Sequence, residues 1–289
     1  MTEAILYDTH MHTPLCKHSV GEPEAYAETA LKKGLKGITI TCHSPMNVTW
    51  SPHLRMEMNQ FDQYLSMVER ARAAYEGRVD VRLGIESDYF PGAEAWLTEL
   101  HSRADFDYVI GSVHPQMREY QERYYKGDVI AFQKGYYDHL VMAAESGLFD
   151  CLAHPDIVKT VHPREWNAHF LLDHIRASLD QIAATGIAME LNTSGLIKTP
   201  SEMNPGSLIL HEMWLRNIPV VVGSDSHDPK RVGADFDKAF DLLQEAGYNE
   251  VNFFLARKRH TVMLEDARAS LRQPTGLAGM VSSFAQKFI

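Results

Sequence analysis

The sequence predicts an α/β fold built on a parallel sheet, and two observations lead to that prediction. Short, nearly continuous apolar segments alternate with amphipathic segments along most of the 289 residues. Metal-binding residue types, above all histidine, follow the apolar segments where each strand should end. Strands that are apolar throughout are typical of a parallel sheet covered on both faces by helices.

Seven strand-plus-helix units follow one another in the chain. We expect strands over residues 4–7, 37–42, 79–85, 108–113, 149–153, 187–191 and 219–224. We expect helices over residues 22–33, 59–75, 93–102, 132–146, 168–185, 205–216 and 235–246. Glycine follows several of these helices, as is common at helix ends. Residues 251–255 form a possible extra strand, and residues 44–52 and 117–128 are expected to be long loops.

The polar strand ends favour a closed barrel over an open doubly wound sheet, although both fit the alternation. Six of the seven predicted strands end on His, Glu or Asp. Barrel enzymes assemble their sites from many different strand ends at the carboxyl face. We therefore predict one barrel domain over residues 1–289, with residues 277–289 as a C-terminal tail.

Composition limits the possible partners and the cellular location. The net charge of −10 argues against a nucleic-acid-binding surface, because such surfaces cluster Lys and Arg against phosphates. The first residues do not resemble a secretory signal, and we expect no membrane-spanning segment. Three widely spaced cysteines indicate reduced thiols rather than a disulfide framework. We therefore expect a cytoplasmic protein, whose oligomeric state the sequence leaves open.

The segment Asp8-Thr-His-Met-His12 follows the first predicted strand. Alternate residues of a strand share a face, so Asp8, His10 and His12 are expected on one side. Two imidazoles backed by a carboxylate suit a transition metal, because a metal-bound histidine commonly donates its other ring proton to a carboxylate. We expect Asp8 to orient the histidines rather than bind metal.

Histidines and carboxylates at the other strand ends extend this pattern. With one histidine in the first loop, the candidate ligands are His10, His12, His18, His43, Glu86, His114, His154, Asp225 and His227. A catalytic zinc ion takes about three protein ligands plus water. Seven histidines and two carboxylates exceed that need, so the sequence predicts two or three clustered ions.

These motifs resemble the polymerase and histidinol phosphatase (PHP) family over nearly the whole chain. Segments 84–91, 107–114 and 147–156 resemble its histidinol-phosphatase branch more narrowly. The resemblance implies a distorted (β/α)7 barrel that holds three divalent transition-metal ions. The implied ligand sets are His10, His12, Glu86 and Asp225 for one ion, Glu86, His114 and His154 for the second, and His18, His43 and His227 for the third. Zinc, iron and manganese all suit such nitrogen and oxygen ligands.

The resemblance also implies an activity, the hydrolysis of L-histidinol phosphate to L-histidinol and phosphate in histidine biosynthesis. Glu86, Asp225 and His227 are the expected catalytic residues, and water attacks phosphorus without a phosphoenzyme. The expected substrate contacts are Arg164, Arg231, Asn192 and Ser194. Lys159, Tyr89, Asp88 and Asp228 are further candidate contacts.

Other functions remain open at this stage. The same metal site would also serve another small phosphomonoester, a phosphotyrosyl protein or a nucleotide 3′-end. A regulatory metal-binding module without turnover would be expected to lack one or more of these ligands. A metal-dependent amidohydrolase barrel usually has a Lys-type bridging ligand, whereas Glu86 occupies the bridging position here.

Overall fold

The computed structural model describes residues 5–271. Within them the chain forms a nine-stranded sheet whose strand order follows the sequence. Strands β1 to β8 pair in parallel, and β9 pairs antiparallel with β8. The strands are β1 (Tyr7–Asp8), β2 (Gly37–Ile40), β3 (Asp80–Asp88), β4 (Tyr108–Ser112), β5 (Cys151–Leu152), β6 (Ala188–Asn192), β7 (Val220–Gly223), β8 (Glu250–Leu255) and β9 (Lys258–Met263).

The sheet closes into a barrel because the chain after β1 meets the chain after β7. Met11 bridges Ser226 in parallel. The backbone N–H of His12 donates to Ser226 O at 2.9 Å, and the Ser226 N–H donates to His10 O at 3.1 Å. The predicted distorted (β/α)7 barrel is confirmed. Strands β8 and β9 extend the sheet beyond β7.

Helices cover the outside of the barrel in the described part of the chain. They are α1 (Pro23–Lys32), α2 (Phe61–Ala74), α3 (Glu94–His101), α4 (Arg118–Tyr124), α5 (Val129–Glu145), α6 (Ala168–Thr185), α7 (Ser207–Leu215), α8 (Phe236–Ala246) and α9 (Leu264–Leu271). The prediction of a loop over residues 117–128 was wrong, because α4 lies there. Its sequence REYQERY buries only Tyr120, so it has no apolar periodicity to recognise.

Helix α6 illustrates how the sequence defines these elements. The Asn167 side chain accepts a hydrogen bond from the His169 N–H at the helix start, and Gly186 ends the helix in the left-handed conformation. Leu171, Ile175 and Leu179 recur at helical spacing, and all three are buried. This face belongs to the large apolar cluster, and the polar face is left to solvent.

Side chains alternate along each strand between the two faces of the sheet, and the buried apolar residues therefore form two separate clusters. Tyr108 and Ile110 of β4 belong with Val221 to one buried cluster, whereas Val109 belongs to the larger cluster. Because alternate residues share a face, Glu86 lies on the same face of β3 as Gly84. Glu86 contacts His10 and His154, which follow other strands, so this face of β3 points into the barrel.

Strand β3 is longer than predicted. It was expected to end at residue 85, but it continues to Asp88 because residues 84–88 pair with β4. Glu86 therefore lies within the strand rather than after it. The predicted tail over residues 277–289 lies outside the described residues, and the single-domain assignment stays a prediction. Among residues 5–271, no helix has both the length and the apolar composition needed to cross a bilayer.

Candidate metal centre

The nine predicted ligands gather at the carboxyl end of the barrel. His10 and His12 are fully buried, and the Glu86 carboxylate is 1% exposed. His18 lies at the exposed edge of the group. The remaining members are buried or partly buried: His43, His114, His154, Asp225 and His227. The site thus runs from the barrel interior to solvent.

One oxygen of Glu86 faces three imidazoles. Glu86 Oε2 lies 3.6 Å from His10 Nε2, 3.7 Å from His12 Nε2 and 2.6 Å from His43 Nδ1. The contact to His43 lacks hydrogen-bond alignment, since neither atom has a hydrogen-bond partner. Two ligand atoms about 2.0–2.2 Å from one zinc ion stand about 3.0–3.6 Å apart, which is close to the first two separations.

The other oxygen of Glu86 faces the opposite side of the site. Glu86 Oε1 lies 3.2 Å from His154 Nε2 and 3.5 Å from His114 Nε2. The rings of His114 and His154 are 5.0 Å apart between centroids. Glu86 therefore stands between two groups of imidazoles, as a bridging carboxylate would.

Asp225 is held between the metal ligands and the outer part of the site. Its Oδ1 lies 3.1 Å from His12 Nε2 and 3.7 Å from His10 Nε2. Its Oδ2 accepts a hydrogen bond from Ser194 Oγ at 2.9 Å and one from Lys198 Nζ at 3.2 Å. These two donors fix the carboxylate so that Oδ1 faces the imidazoles.

His18 and His227 form the outer end of the cluster. Their ring centroids are 4.6 Å apart, and the His43 centroid lies 5.4 Å from His18 and 6.0 Å from His227. The His12 ring stacks on His227 at 3.9 Å. His12, His43 and His227 offer ligand atoms within 4.8 Å of one another. This group combines histidines from two different predicted ligand sets. The division of the ligands among the ions therefore stays a prediction.

Several buried polar atoms in the site have no hydrogen-bond partner, which tests whether the site fits metal ions. These atoms are His10 Nε2, His12 Nδ1, His43 Nδ1, Glu86 Oε2, His154 Nδ1 and His227 Nε2. A buried polar group without a partner costs about 1–3 kcal/mol. Such a concentration of unpaired nitrogen and oxygen atoms is what bound cations would satisfy, so the residues fit a transition-metal cluster.

Charge within the metal-free cluster is unevenly shared among the imidazoles. Burial alone lowers the pKa of His10, but the Glu190, Asp225 and Glu86 carboxylates hold it well above the usual value. Burial lowers the pKa of His43 to about 3, and burial together with the His12 charge lowers that of His227 to about 2. His43 and His227 are therefore neutral and able to donate a lone pair.

Two ligand positions have strained backbone conformations. The φ angle is 29° at His154 and 48° at Asp225, both in the left-handed region that non-glycine residues rarely occupy. Such strain costs about 1–3 kcal/mol and concentrates at functional sites. Here it turns both side chains inward immediately after their strands.

A cavity of about 560 Å³ opens above the cluster. Its floor includes His18, His43, His114, His154, Asp225 and His227. Its upper wall combines apolar and polar residues: Leu54, Arg55, Gln116, Met117, Ile157, Ser194, Ile197, Lys198, Asp228 and Arg231. This volume suits a small molecule rather than a polymer.

A family model described as the PHP domain matches residues 8–194, which cover most of the predicted ligands. The chain belongs to the PHP family. A probable histidinol-phosphatase of Deinococcus radiodurans is 36% identical over 260 residues, covering 86% of this chain and 96% of that protein. A histidinol-phosphatase of Bacillus subtilis is 28% identical, covering 80% of this chain and 96% of that protein.

A solved structure of another PHP protein supports the fold. Histidinol phosphate phosphatase from Lactococcus lactis, solved with zinc, L-histidinol and phosphate, matches with a TM-score of 0.74 at 20% identity. The match covers 88% of this chain and 98% of that chain. At this identity the likeness concerns the fold, and it confirms the distorted barrel.

Glu190 is a functional residue of this PHP site that the sequence analysis missed. Its Oε1 lies 2.7 Å from His10 Nδ1, and its Oε2 accepts hydrogen bonds from the His154 N–H and Asn192 Nδ2, each at 2.9 Å. A Cβ on Gly223 would stand 2.1 Å from Glu190 Oε1, so glycine is required there. The detectable signal was a carboxylate inside the apolar strand β6.

Asp8 does not have the role expected of it. It accepts hydrogen bonds from Ser224 N at 3.0 Å, Ser224 Oγ at 2.5 Å and Gly233 N at 2.7 Å. It contacts the His10 backbone N–H at 3.4 Å. Asp8 therefore joins the ends of β1 and β7, and Glu190 is the carboxylate that orients the imidazole.

Asp88 supports His114 on the other side of the site. Its Oδ1 bonds His114 Nδ1, and its Oδ2 pairs with the buried Arg55 guanidinium. Arg55 also donates to Trp50 O at 3.1 Å. Burial alone raises the pKa of Asp88, but Arg55 and His114 hold it well below its usual value. Asp88 is thus committed to positioning and is not available to substrate.

The four predicted substrate contacts have different positions. Ser194 and Arg231 line the cavity. Asn192 is fully buried below it, where its Oδ1 accepts a hydrogen bond from the Ser194 N–H at 2.9 Å. Arg164 lies exposed in the loop after β5 and is not among the residues that line this cavity. A substrate contact by Arg164 therefore has no support from the position of its side chain and stays a prediction.

Two further candidate contacts are also occupied elsewhere. Lys159 is fully buried, where its Nζ lies 3.0 Å from both Asp156 Oδ2 and Glu202 Oε2. The Tyr89 hydroxyl donates to Glu94 at 2.7 Å. Lys198 lines the cavity beside Arg55 and Arg231. The sequence analysis missed Lys198 because the loop after β6 decides its position.

Proposed function

We propose that the chain is a metal-dependent phosphatase that hydrolyses L-histidinol phosphate to L-histidinol and inorganic phosphate. The observation that carries this proposal is Glu86, whose two oxygens face imidazoles on both sides at the floor of a small cavity. The names of the Deinococcus and Bacillus relatives support the substrate.

The proposed cluster holds three divalent ions, with zinc the first choice. His10, His12, Glu86 and Asp225 hold one ion, Glu86, His114 and His154 the second, and His18, His43 and His227 the third. Bound ions would supply an activated water molecule and neutralise charge on the phosphoryl oxygens. The protein's own groups then position the substrate for direct attack by water.

Lys198 is the proposed phosphate contact from the protein. Its side chain is 31% exposed at the cavity wall, and its Nζ lies 3.2 Å from Asp225 Oδ2. An ammonium in this place can donate to a phosphoryl oxygen while it stays paired with the carboxylate. Arg231 lies on the same wall, where its Nε has no hydrogen-bond partner.

Asp225 acts as an anion in this scheme. Burial alone raises its pKa, but Lys198 and His10 hold it well below the usual value. An ionised Asp225 cannot supply the proton that the leaving alkoxide needs. Its proposed role is to hold metal and to keep the Lys198 ammonium close to the phosphate.

The outer part of the cavity suits the alcohol portion of the substrate. Leu54, Met117 and Ile157 offer apolar surface for an imidazole ring. Gln116 can exchange hydrogen bonds with the ring nitrogens, and Asp228 can pair with the ammonium group. Of the two acidic candidates, Asp88 and Asp228, only Asp228 lines the cavity, because Asp88 is paired with Arg55.

The site needs no nucleophile from the protein. Ser194 is the hydroxyl on the cavity wall, and it donates to Asn192 Oδ1 at 2.7 Å or Asp225 Oδ2 at 2.9 Å. The Asp225 carboxylate that accepts from Ser194 is itself a proposed metal ligand, so we propose that no phosphoserine forms. Acid quenching of radiolabelled substrate during turnover tests this point, and a labelled protein would contradict direct attack.

Phosphate release from a panel of phosphomonoesters tests the substrate. The panel contains L-histidinol phosphate, phosphotyrosine and an aryl phosphate whose aryl group carries no charge. We expect kcat/KM for L-histidinol phosphate to exceed the others by about 100-fold or more, since the ring and ammonium contacts each contribute about 1–3 kcal/mol. Equal values would contradict the histidinol assignment and favour a general PHP phosphoesterase.

A further inference from the structure

Cys16 lies unusually close to the outer metal ligands. It ends the short 3-10 turn Pro14–Cys16, which begins two residues after His12. The thiol is fully buried. Lys17 then adopts a left-handed conformation with a φ of 69°, and the chain returns His18 to the cluster. The Cys16 sulfur lies within 4.8 Å of ring nitrogens on both His18 and His227.

The two imidazoles each keep one nitrogen available. His18 Nδ1 pairs with Cys16 O at 2.7 Å, and His227 Nδ1 pairs with Asp225 O at 3.1 Å. Their Nε2 atoms therefore carry the free lone pairs. His227 Nε2 is buried and has no hydrogen-bond partner.

His12 provides a second observation at the same place. One of its ring nitrogens lies within 4.8 Å of both the Cys16 and Cys42 sulfurs. The imidazole is fully buried, yet its Nδ1 has no hydrogen-bond partner. The surroundings of Cys16 thus include two buried imidazole nitrogens without a hydrogen-bond partner, His12 Nδ1 and His227 Nε2.

We infer that Cys16 is a ligand, as a thiolate, of the outermost metal ion, which His18 and His227 also hold. This inference rests on the proposed function in assuming that an ion binds at that end of the cluster. On binding, the S–H bond breaks, a sulfur–metal bond forms and one proton passes to solvent. A thiolate added to the imidazoles of this ion selects zinc over manganese, because soft sulfur ligands favour zinc.

Cys42 differs from Cys16 and provides the matched control. Its sulfur accepts a hydrogen bond from Thr13 Oγ1 at 3.1 Å and contacts the Thr13 N–H at 3.5 Å. It does not fall in the group that joins Cys16 to His18 and His227. The third cysteine, Cys151, belongs to the apolar cluster inside the barrel.

Cobalt(II) substitution tests the inference, since a thiolate bound to cobalt gives an intense near-ultraviolet charge-transfer band and imidazole does not. The full chain is stripped with a chelator, reloaded with cobalt(II) and analysed for metal content and phosphate release on the same sample. We expect the band in the wild type and in the Cys42→Ser/Cys151→Ser double variant. In Cys16→Ser we expect the band to disappear, and we expect the protein to bind one equivalent of cobalt less than the wild type.

The outcomes separate this inference from the proposed function. A wild type that binds cobalt and releases phosphate without the band would overturn thiolate ligation and leave the phosphatase proposal intact. A band that persists in Cys16→Ser would also overturn it. If Cys16→Ser does not fold, the double variant decides, because Cys16 is then the only cysteine left; no band in that protein contradicts the inference.

Discussion

Glu190 Oε1 lies 2.7 Å from His10 Nδ1, on the opposite side of the imidazole ring from Glu86. This contact fixes the ring so that Nε2 points toward the metal cluster. The same carboxylate receives the His154 backbone N–H at 2.9 Å. A buried anion thus aligns two ligands that reach the site from different strands, β1 and β5.

Glu190→Gln should weaken metal binding without unfolding the barrel. Loss of the carboxylate behind a metal-bound histidine typically reduces affinity about 10–100-fold. The measurement is the apparent zinc dissociation constant from competition with a fluorescent chelator. Glu250→Gln, which makes the same change at an exposed position on β8, is the control and should bind zinc normally. An unchanged zinc affinity in Glu190→Gln would remove Glu190 from this role.

Lys198→Met should raise KM for a phosphomonoester and weaken inhibition by inorganic phosphate. A charge-assisted hydrogen bond contributes about 1.5–3 kcal/mol, which corresponds to a change of about tenfold or more. Lys230→Met is the matched control, because Lys230 is exposed and does not line the cavity. Equal phosphate inhibition in the two variants would show that Lys198 does not contact phosphate.

Metal affinity should rise with pH across the neutral range. Burial alone lowers the pKa of His12, but the Asp225 carboxylate and other neighbours raise it to about 9 in the metal-free protein. Below that pH the proton must leave before metal binds, so affinity falls about tenfold per pH unit for this proton alone. Chelator competition at about pH 7 and about pH 8 measures the slope, after correction for the chelator's own titration. A flat profile would contradict a protonated His12.

Asp88→Asn should destabilise the metal-free protein. It leaves the buried Arg55 without its carboxylate, and breaking a buried ion pair on one side costs about 3–5 kcal/mol. Urea denaturation of both proteins after chelation measures the free energy of unfolding. Asp241→Asn, which breaks the more exposed pair with Arg268, should cost less than about 1 kcal/mol. Similar losses in the two variants would contradict the importance of the Asp88–Arg55 pair.

The strand ends could be predicted from the sequence because a parallel fold brings every carboxyl end to one face. That geometry let His10, His43 and Glu86 be grouped although they are far apart in the chain. The length of β3 could not be predicted, since pairing with β4 extends it through polar residues to Asp88.

The surroundings of the site were harder to predict than its ligands. Glu190 is isolated among apolar residues of β6, and the pattern does not reveal which histidine it meets. Asp8 and Arg164 were assigned from nearness in sequence, but local turns direct Asp8 to Ser224 and Arg164 to solvent. Lys198 reaches the cavity through the fold of a loop, for which residue periodicity gives no signal.

The most direct test of the central claim is the rate of phosphate release from L-histidinol phosphate with controlled metal content. The chelated protein and Glu86→Ala should both be inactive, and zinc should restore only the former. Glu86→Ala should also retain less metal than the wild type, because the carboxylate that faces both groups of imidazoles is gone. Full activity in the chelated protein, or in Glu86→Ala, would contradict a metal-dependent phosphatase centred on Glu86.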